Sequence, residues 1–265
     1  MTHRTLPVTA GIHHVTTIAS LAQRTYDFHV NVLGLRVVKR TVNFDDPGTW
    51  HLYFGDATGA PGTLLTLFPY ENGRQGRVGE GQFSRVAFAV PLSSFAFWIE
   101  RLLTRGIRVE GPSLRFGDRI LTVHDPDGLT YEIVGTGYAA ALPGWDGGSV
   151  PAAHAIRGLH GVTLHEPAAA DGDLLLRELF GYSASATEGD TTRFIAAGEP
   201  GLGKIVDLRR TSGTERGTGG AGTVHHVAFR AADDAAQALV REAVVAKGLG
   251  VTEFIDRQYF RSIYF

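Results

Sequence analysis

Gly11-Ile12-His13-His14-Val15-Thr16-Thr17-Ile18-Ala19, near the start of the chain, is echoed by Thr223-Val224-His225-His226-Val227-Ala228-Phe229 near its end. Both stretches are rich in β-branched residues and read as short strands. Each runs into a helical pattern that stops at a glycine suited to the left-handed position after a helix. The same arrangement occurs twice more between them. Strands at 12–18, 85–90, 159–165 and 224–230 lead into helices at 20–33, 93–105, 171–180 and 233–247, closed by Gly34, Gly106, Gly181 and Gly248. Ser20, Ser93 and Asp233 stand where N-caps are expected. Phe95, Trp98, Ile99, Leu102 and Leu103 form one apolar stripe on the second helix. Ala236, Leu239, Val240, Ala243 and Val244 repeat it on the fourth.

After each helix, alternating runs end in a glycine-led strand, at 62–68, 128–134 and 203–208. A period of about seventy residues is too long for a solenoid and suits a small βαβββ unit. The expected fold class is therefore α+β, with four βαβββ modules in two tandem halves forming mixed sheets. Residues 1–140 hold modules one and two, the Pro/Gly/Ala-rich stretch 141–155 is the linker, and 156–265 hold modules three and four. Module four is expected to be incomplete, because the sequence stops inside its third strand and its last strand is missing. Gly217-Thr218-Gly219-Gly220-Ala221-Gly222 has the glycine spacing of a dinucleotide fingerprint. It runs into a strand rather than a helix, which argues against nucleotide binding.

Composition removes several function classes. The chain of 265 residues has no cysteine, so disulfides, iron–sulfur clusters and thiol nucleophiles are excluded. A net charge of −2 gives no reason to expect nucleic acid or an anionic membrane as partner. With no signal-like or membrane-spanning apolar run, the expectation is a cytoplasmic protein.

A lone histidine usually binds nothing, but two His-His pairs at matching repeat positions favour a metal. Because a strand alternates its faces, one imidazole of each pair is expected to point into the fold. The inward pair should be His14 and His226, joining modules one and four. The equivalent positions in modules two and three hold Arg85 and Gly161, so only one such site is expected. Glu132 and Asp207 stand where a carboxylate ligand would, although a polar side chain on a sheet wall is the favoured reading for both. Thr66 takes that place in module one. Imidazole and carboxylate suit Fe(II) or Mn(II), with zinc as a further alternative, and two histidines and one carboxylate on iron leave adjacent positions open for substrate and dioxygen.

The stretches "GIHHVTTIA", "LGLRVVKRTVNFDDPGTWHLYFGD", "GAPGTLLTLFP", "TVHHVAF" and "DRQYFRSIYF" carry a further message. The chain resembles the vicinal oxygen chelate superfamily of glyoxalases, bleomycin-resistance proteins and extradiol dioxygenases. Within it, the chain is similar to the ring-cleaving dioxygenases that act on hydroquinones, over nearly its whole length. The resemblance implies cup-shaped sheets, iron ligands at His14 and His226, and catalytic roles for His13, Thr16, His225, Arg257 and Tyr264. It implies a third ligand, a glutamate, beyond Phe265. It also implies a small aromatic substrate with O2, and allows a homodimer. A glyoxalase-like metal-dependent lyase or isomerase, and a non-catalytic binding or resistance protein, are the alternatives on the same scaffold.

Overall fold

The computed structural model describes residues 9–168 and 170–265. Module one comprises β1 (Ile12–Ala19), α1 (Ala22–Asp27), β2 (Arg36–Val42), β3 (Trp50–Gly55) and β4 (Leu64–Pro69). Module two comprises β5 (Gln82–Pro91), α2 (Phe95–Thr104), β6 (Val109–Arg115), β7 (Asp118–His124) and β8 (Thr130–Thr136). Module three comprises β9 (Gly158–Pro167), α3 (Gly172–Glu178), β10 (Tyr182–Glu188), β11 (Thr191–Ala196) and β12 (Ile205–Thr211). Module four has β13 (Thr223–Phe229) and α4 (Asp234–Ala246), then only the short β14 (Ile255–Asp256) and β15 (Arg261–Ser262). This is the expected α+β vicinal oxygen chelate fold. In each of the first three modules the closing strand lies parallel to the first strand, and a meander completes the sheet.

One sheet joins the first and last modules, and the other joins modules two and three. β13 adds antiparallel to β1, giving the order β13-β1-β4-β3-β2, while β5 and β9 join modules two and three in an eight-stranded sheet. One continuous core spans both sheets, from Val15, Phe54, Leu65 and Leu67 to Phe88, Trp98, Tyr131 and Val206. The stretch 141–155 is a tethered strap: Arg101 donates to the carbonyl of Ser149, and the Trp98 indole to that of His154. No helix among the described residues is long and apolar enough to cross a membrane.

The helix signals hold unevenly. Gly34, Gly106, Gly181 and Gly248 have φ of 72°, 69°, 68° and 73°, as helix-ending glycines require. Asp233 caps α4, accepting from the Ala236 amide at 2.8 Å. Ser20 does not cap α1, because Asp127 takes both its amide and its hydroxyl. Ser93 lies in the 3₁₀ turn before α2 rather than at its cap. On the apolar stripes, Leu103 and Leu239 face solvent. The glycine-rich stretch 217–222 packs backbone to backbone against the loop after β4. A Cβ on Gly76 would stand 2.9 Å from the Gly220 amide nitrogen, and one on Gly79 2.6 Å from that of Gly217. Those glycines serve close approach between two connecting loops, not a phosphate.

Glu132 and Asp207 are committed elsewhere. Glu132 is fully buried and accepts from Arg85 at 2.7 Å and from Arg115 at 2.9 and 2.5 Å. Asp207 accepts from Arg193 at 2.8 and 3.0 Å, and Arg193 also reaches Asp118. Desolvation works to raise the Glu132 pKa, but its two arginines outweigh it and hold it below the usual range. Removing its charge strands two guanidinium groups. Glu132→Gln should therefore destabilise the fold by about 3–5 kcal/mol in urea denaturation while leaving the five-stranded sheet's chemistry untouched.

His29 supplies a second stability test. Its Nδ1–H donates to the Thr25 carbonyl at 2.7 Å, and the Tyr131 hydroxyl donates to its Nε2 at 2.9 Å. Burial outweighs the raising effects of Thr25 and Asp127 and brings its pKa down to about 4. Below about pH 6.5 the unfolded chain takes up a proton that the folded ring refuses, so stability falls as pH drops toward 4. Between pH 7.5 and 5 this residue should account for about 2 kcal/mol of lost stability. His29→Gln should shrink the measured difference in unfolding free energy between those two pH values by that amount.

Candidate metal and substrate site

His14 and His226 meet on one face of the five-stranded sheet. Their Nε2 atoms are 3.2 Å apart, although 212 positions separate them in sequence. The register of β1 and β13 makes the meeting possible, with Val15 opposite Val227 and Thr16 opposite His226. Two β-bulges interrupt it, one at His13 and one at His225, each leaving an extra residue unopposed.

The bulges correct the expected alternation. A regular strand would send His13 and His225 to the far face; here both turn back toward their neighbours. His13 Nδ1 lies 2.9 Å from His14 Nδ1, and His225 Nδ1 lies 2.8 Å from His226 Nδ1. All four imidazoles line one cavity of about 910 Å³, with Phe260, Tyr264 and apolar Leu175, Leu176 and Phe180. That volume lies within the range of small-molecule sites.

The geometry suits a cation. Two imidazole nitrogens about 2.1 Å from one metal and at right angles around it stand about 3 Å apart. Both rings are available as neutral donors. Burial first, then His226 and the other nearby histidines, push His14 well below the usual histidine range. Burial, His225 and Arg257 bring His226 to about 4. The Nδ1 contacts with His13 and His225 let each inner ring place its proton on Nδ1 and keep the Nε2 lone pair for metal. Among the described residues, no cluster of three or more His, Cys, Asp or Glu side chains is placed to hold a metal.

The remaining expected residues gather at the same place. Thr16 is fully buried, its hydroxyl 2.9 Å from His226 Nε2 and 2.7 Å from the Thr66 hydroxyl. The Tyr264 ring stands 6.1 Å from that of His226, centre to centre. Arg257 lies 5.5 Å from the Tyr264 ring and 5.8 Å from Phe44, with Asp45 at 3.5 Å. Neither Arg257 nor Tyr264 hydrogen-bonds to an imidazole; they border the site. Phe260 covers it, its ring 5.5 Å from His13 and 5.9 Å from His14.

Sequence reasoning missed His51 and Tyr53. His51 Nε2 is 3.0 Å from the Thr66 hydroxyl, and the Tyr53 hydroxyl is 2.9 Å from His51 Nδ1. Burial and nearby His226 bring His51 to about 3, while burial pushes Tyr53 up to about 12. The signal was present in Trp50-His51-Leu52-Tyr53-Phe54. There two polar rings alternate with Leu52 and Phe54, which are buried in the core on the opposite face.

Comparison with known proteins identifies the family. Residues 11–133 match the family model of the glyoxalase/bleomycin resistance protein/dioxygenase superfamily. The chain is 43% identical over 260 residues to MhqO of Bacillus subtilis, named as a ring-cleaving dioxygenase, covering 97% of this chain and 81% of that one. It is 36% identical over 262 residues to the chlorohydroquinone/hydroquinone 1,2-dioxygenase of Sphingobium indicum, covering 96% and 81%. A crystal structure of a Bacillus subtilis protein titled as a dioxygenase superposes with a TM-score of 0.89 at 42% identity, covering 97% and 81%. Glyoxalase I of Zea mays shares the fold alone, with a TM-score of 0.65 at 16% identity over 93% and 83% of the chains. The chain belongs to the glyoxalase/bleomycin resistance protein/dioxygenase superfamily, and to the ring-cleaving dioxygenases within it.

Proposed function

We propose that the protein is an Fe(II)-dependent, extradiol-type dioxygenase that cleaves hydroquinone-like aromatic diols with O2. The observation that carries this reading is the 3.2 Å approach of His14 and His226 Nε2 inside a cavity of aromatic size. Relatives named for ring cleavage and for hydroquinone support the substrate class. In this proposal His14 and His226 hold the metal, Mn(II) is the alternative ion, and a glutamate beyond Phe265 is the third ligand. When bound, the metal supplies a Lewis-acidic, redox-active centre for diphenol and dioxygen.

The chain's own residues do the rest. If the inner imidazoles donate from Nδ1, His13 and His225 accept there and carry their own protons on Nε2. Burial and Arg230 lower His13, and burial lowers His225 against the pull of Asp45, so both are neutral near pH 7. Their Nε2–H groups are then donors for a phenolate or a developing oxygen anion. Phe260 presents an aromatic face to the ring substrate and helps exclude water from the imidazoles. Arg257 supplies fixed positive charge beside the Tyr264 ring, and in this reading the Tyr264 hydroxyl orients the diol. Thr16 stands against His226 and fixes that ring's attitude on the sheet.

Full-length protein reconstituted with ferrous iron should consume O2 on adding hydroquinone, and should do nothing under argon. His14→Ala and His226→Ala should each lower that rate by at least about a hundredfold with the fold retained. Anaerobic turnover of a carbonyl or thiol adduct would instead favour the lyase or isomerase alternative. Ligand binding with no metal requirement would favour a resistance protein.

A further inference from the structure

One rung of the five-stranded sheet is polar from edge to edge. His226 on β13 lies opposite Thr16 on β1, Thr16 opposite Thr66 on β4, Thr66 opposite Tyr53 on β3, and Tyr53 opposite Lys39 on β2. His51, two residues before Tyr53 on the same face, completes an unbroken hydrogen-bonded chain. Its links are His226 Nε2 to Thr16 at 2.9 Å, Thr16 to Thr66 at 2.7 Å, Thr66 to His51 Nε2 at 3.0 Å, and His51 Nδ1 to Tyr53 at 2.9 Å. Thr16 and Thr66 are 0% and 1% exposed, so water does not substitute for any link between them.

Such a chain has two self-consistent directions, both holding the same four protons. Each hydroxyl or ring can donate toward His226, or each can donate away from it. The choice matters because the Tyr53 hydroxyl is spent on His51 in the first direction and free in the second. Tyr53 keeps its proton at neutral pH, since burial raises its pKa to about 12; Tyr264, Arg257 and Tyr259 act on it, and the Lys39 ammonium lies 5.6 Å from its ring.

Resting on the reading of His14 and His226 as the ligand pair, we infer that this rung makes Tyr53 a hydrogen-bond donor to the phenolic oxygen of the substrate. With the His226 Nε2 lone pair engaged by a cation, Thr16 has no acceptor there and donates to Thr66. Thr66 then donates to His51 Nε2, which places the imidazole proton on Nδ1. His51 donates in turn to the Tyr53 oxygen, and the Tyr53 hydrogen is left for a phenolate beside Arg257 and Tyr264, the two groups that border the imidazoles and act on Tyr53. Thr66 and His51 are positioning residues, acting only through Tyr53.

The test is the tautomer of His51 in the full-length protein, labelled with ¹⁵N at histidine and titrated with Zn(II) as a diamagnetic probe. The His51 signal is identified by its loss in His51→Gln. The expected result is that zinc moves the His14 and His226 Nε2 resonances and that His51 shows the Nδ1–H pattern. His51 found as Nε2–H with zinc bound would overturn the inference and leave the ligand pair standing. Zinc that leaves His14 and His226 unmoved would overturn both. In the iron-loaded enzyme, Tyr53→Phe and Thr66→Val should each raise KM for hydroquinone roughly tenfold, the effect of one lost hydrogen bond to a charged group, with Thr66→Ser restoring it. Unchanged KM in both variants, at an unchanged melting temperature, would also overturn it.

Discussion

The antiparallel pairing of β13 with β1 is the constraint on which the rest of this molecule depends. It joins the first and fourth modules into one sheet and sets Thr16 opposite His226. The pairing is not regular: the bulges at His13 and His225 each insert an unopposed residue. Without them, one imidazole of each pair would face the core, where a polar ring without a partner is costly. With them, four imidazoles share one wall, and each inner ring finds an outer ring at its Nδ1. Local irregularity in the ladder is thus what assembles the site, in keeping with the frequent placement of bulges beside functional centres.

The same sheet-joining device is used twice, and the second use shows what the histidines replace. Where β5 meets β9, the sheet wall carries Arg85, Arg115 and Arg193 against Glu132 and Asp207. The carboxylates are neutralised by these guanidinium groups. An internally paired wall of this kind contributes conformational definition more than stability, since desolvating the ions offsets much of their attraction. One pseudo-equivalent half of the protein is therefore closed by ion pairs. The other turns imidazole rings toward a cavity, and burial keeps them neutral.

Satisfaction of buried polar groups links this wall to the strands beyond it. Thr16 and Thr66 are buried hydroxyls in the middle of a sheet whose other face is Val15, Leu65, Leu67 and Phe54. Each needs a partner, and each finds one only across the strand register. The partners run outward to His51 and Tyr53, so a requirement of folding also places a hydrogen-bonded row beside His14 and His226.

Much of this was legible in the chain itself. Local chemistry determines the four modules, since β-branched runs, helical periodicity and left-handed glycines at Gly34, Gly106, Gly181 and Gly248 act within a few residues of one another. The two His-His pairs are equally local marks, and their repeat positions single out His14 and His226. What only the tertiary structure decided was how faces and partners were assigned. The bulges that turn His13 and His225 inward arise from pairing between strands more than two hundred residues apart. Asp127, not the start of a helix, claims Ser20, and arginines from other strands claim Glu132 and Asp207. His51 and Tyr53 bond into the polar row beside His226 because β3 lies two strands from β1 in register, a relation that no spacing along the chain encodes. Periodicity reports which side of an element is apolar. Only the packed sheet decides which polar groups from distant strands must satisfy one another.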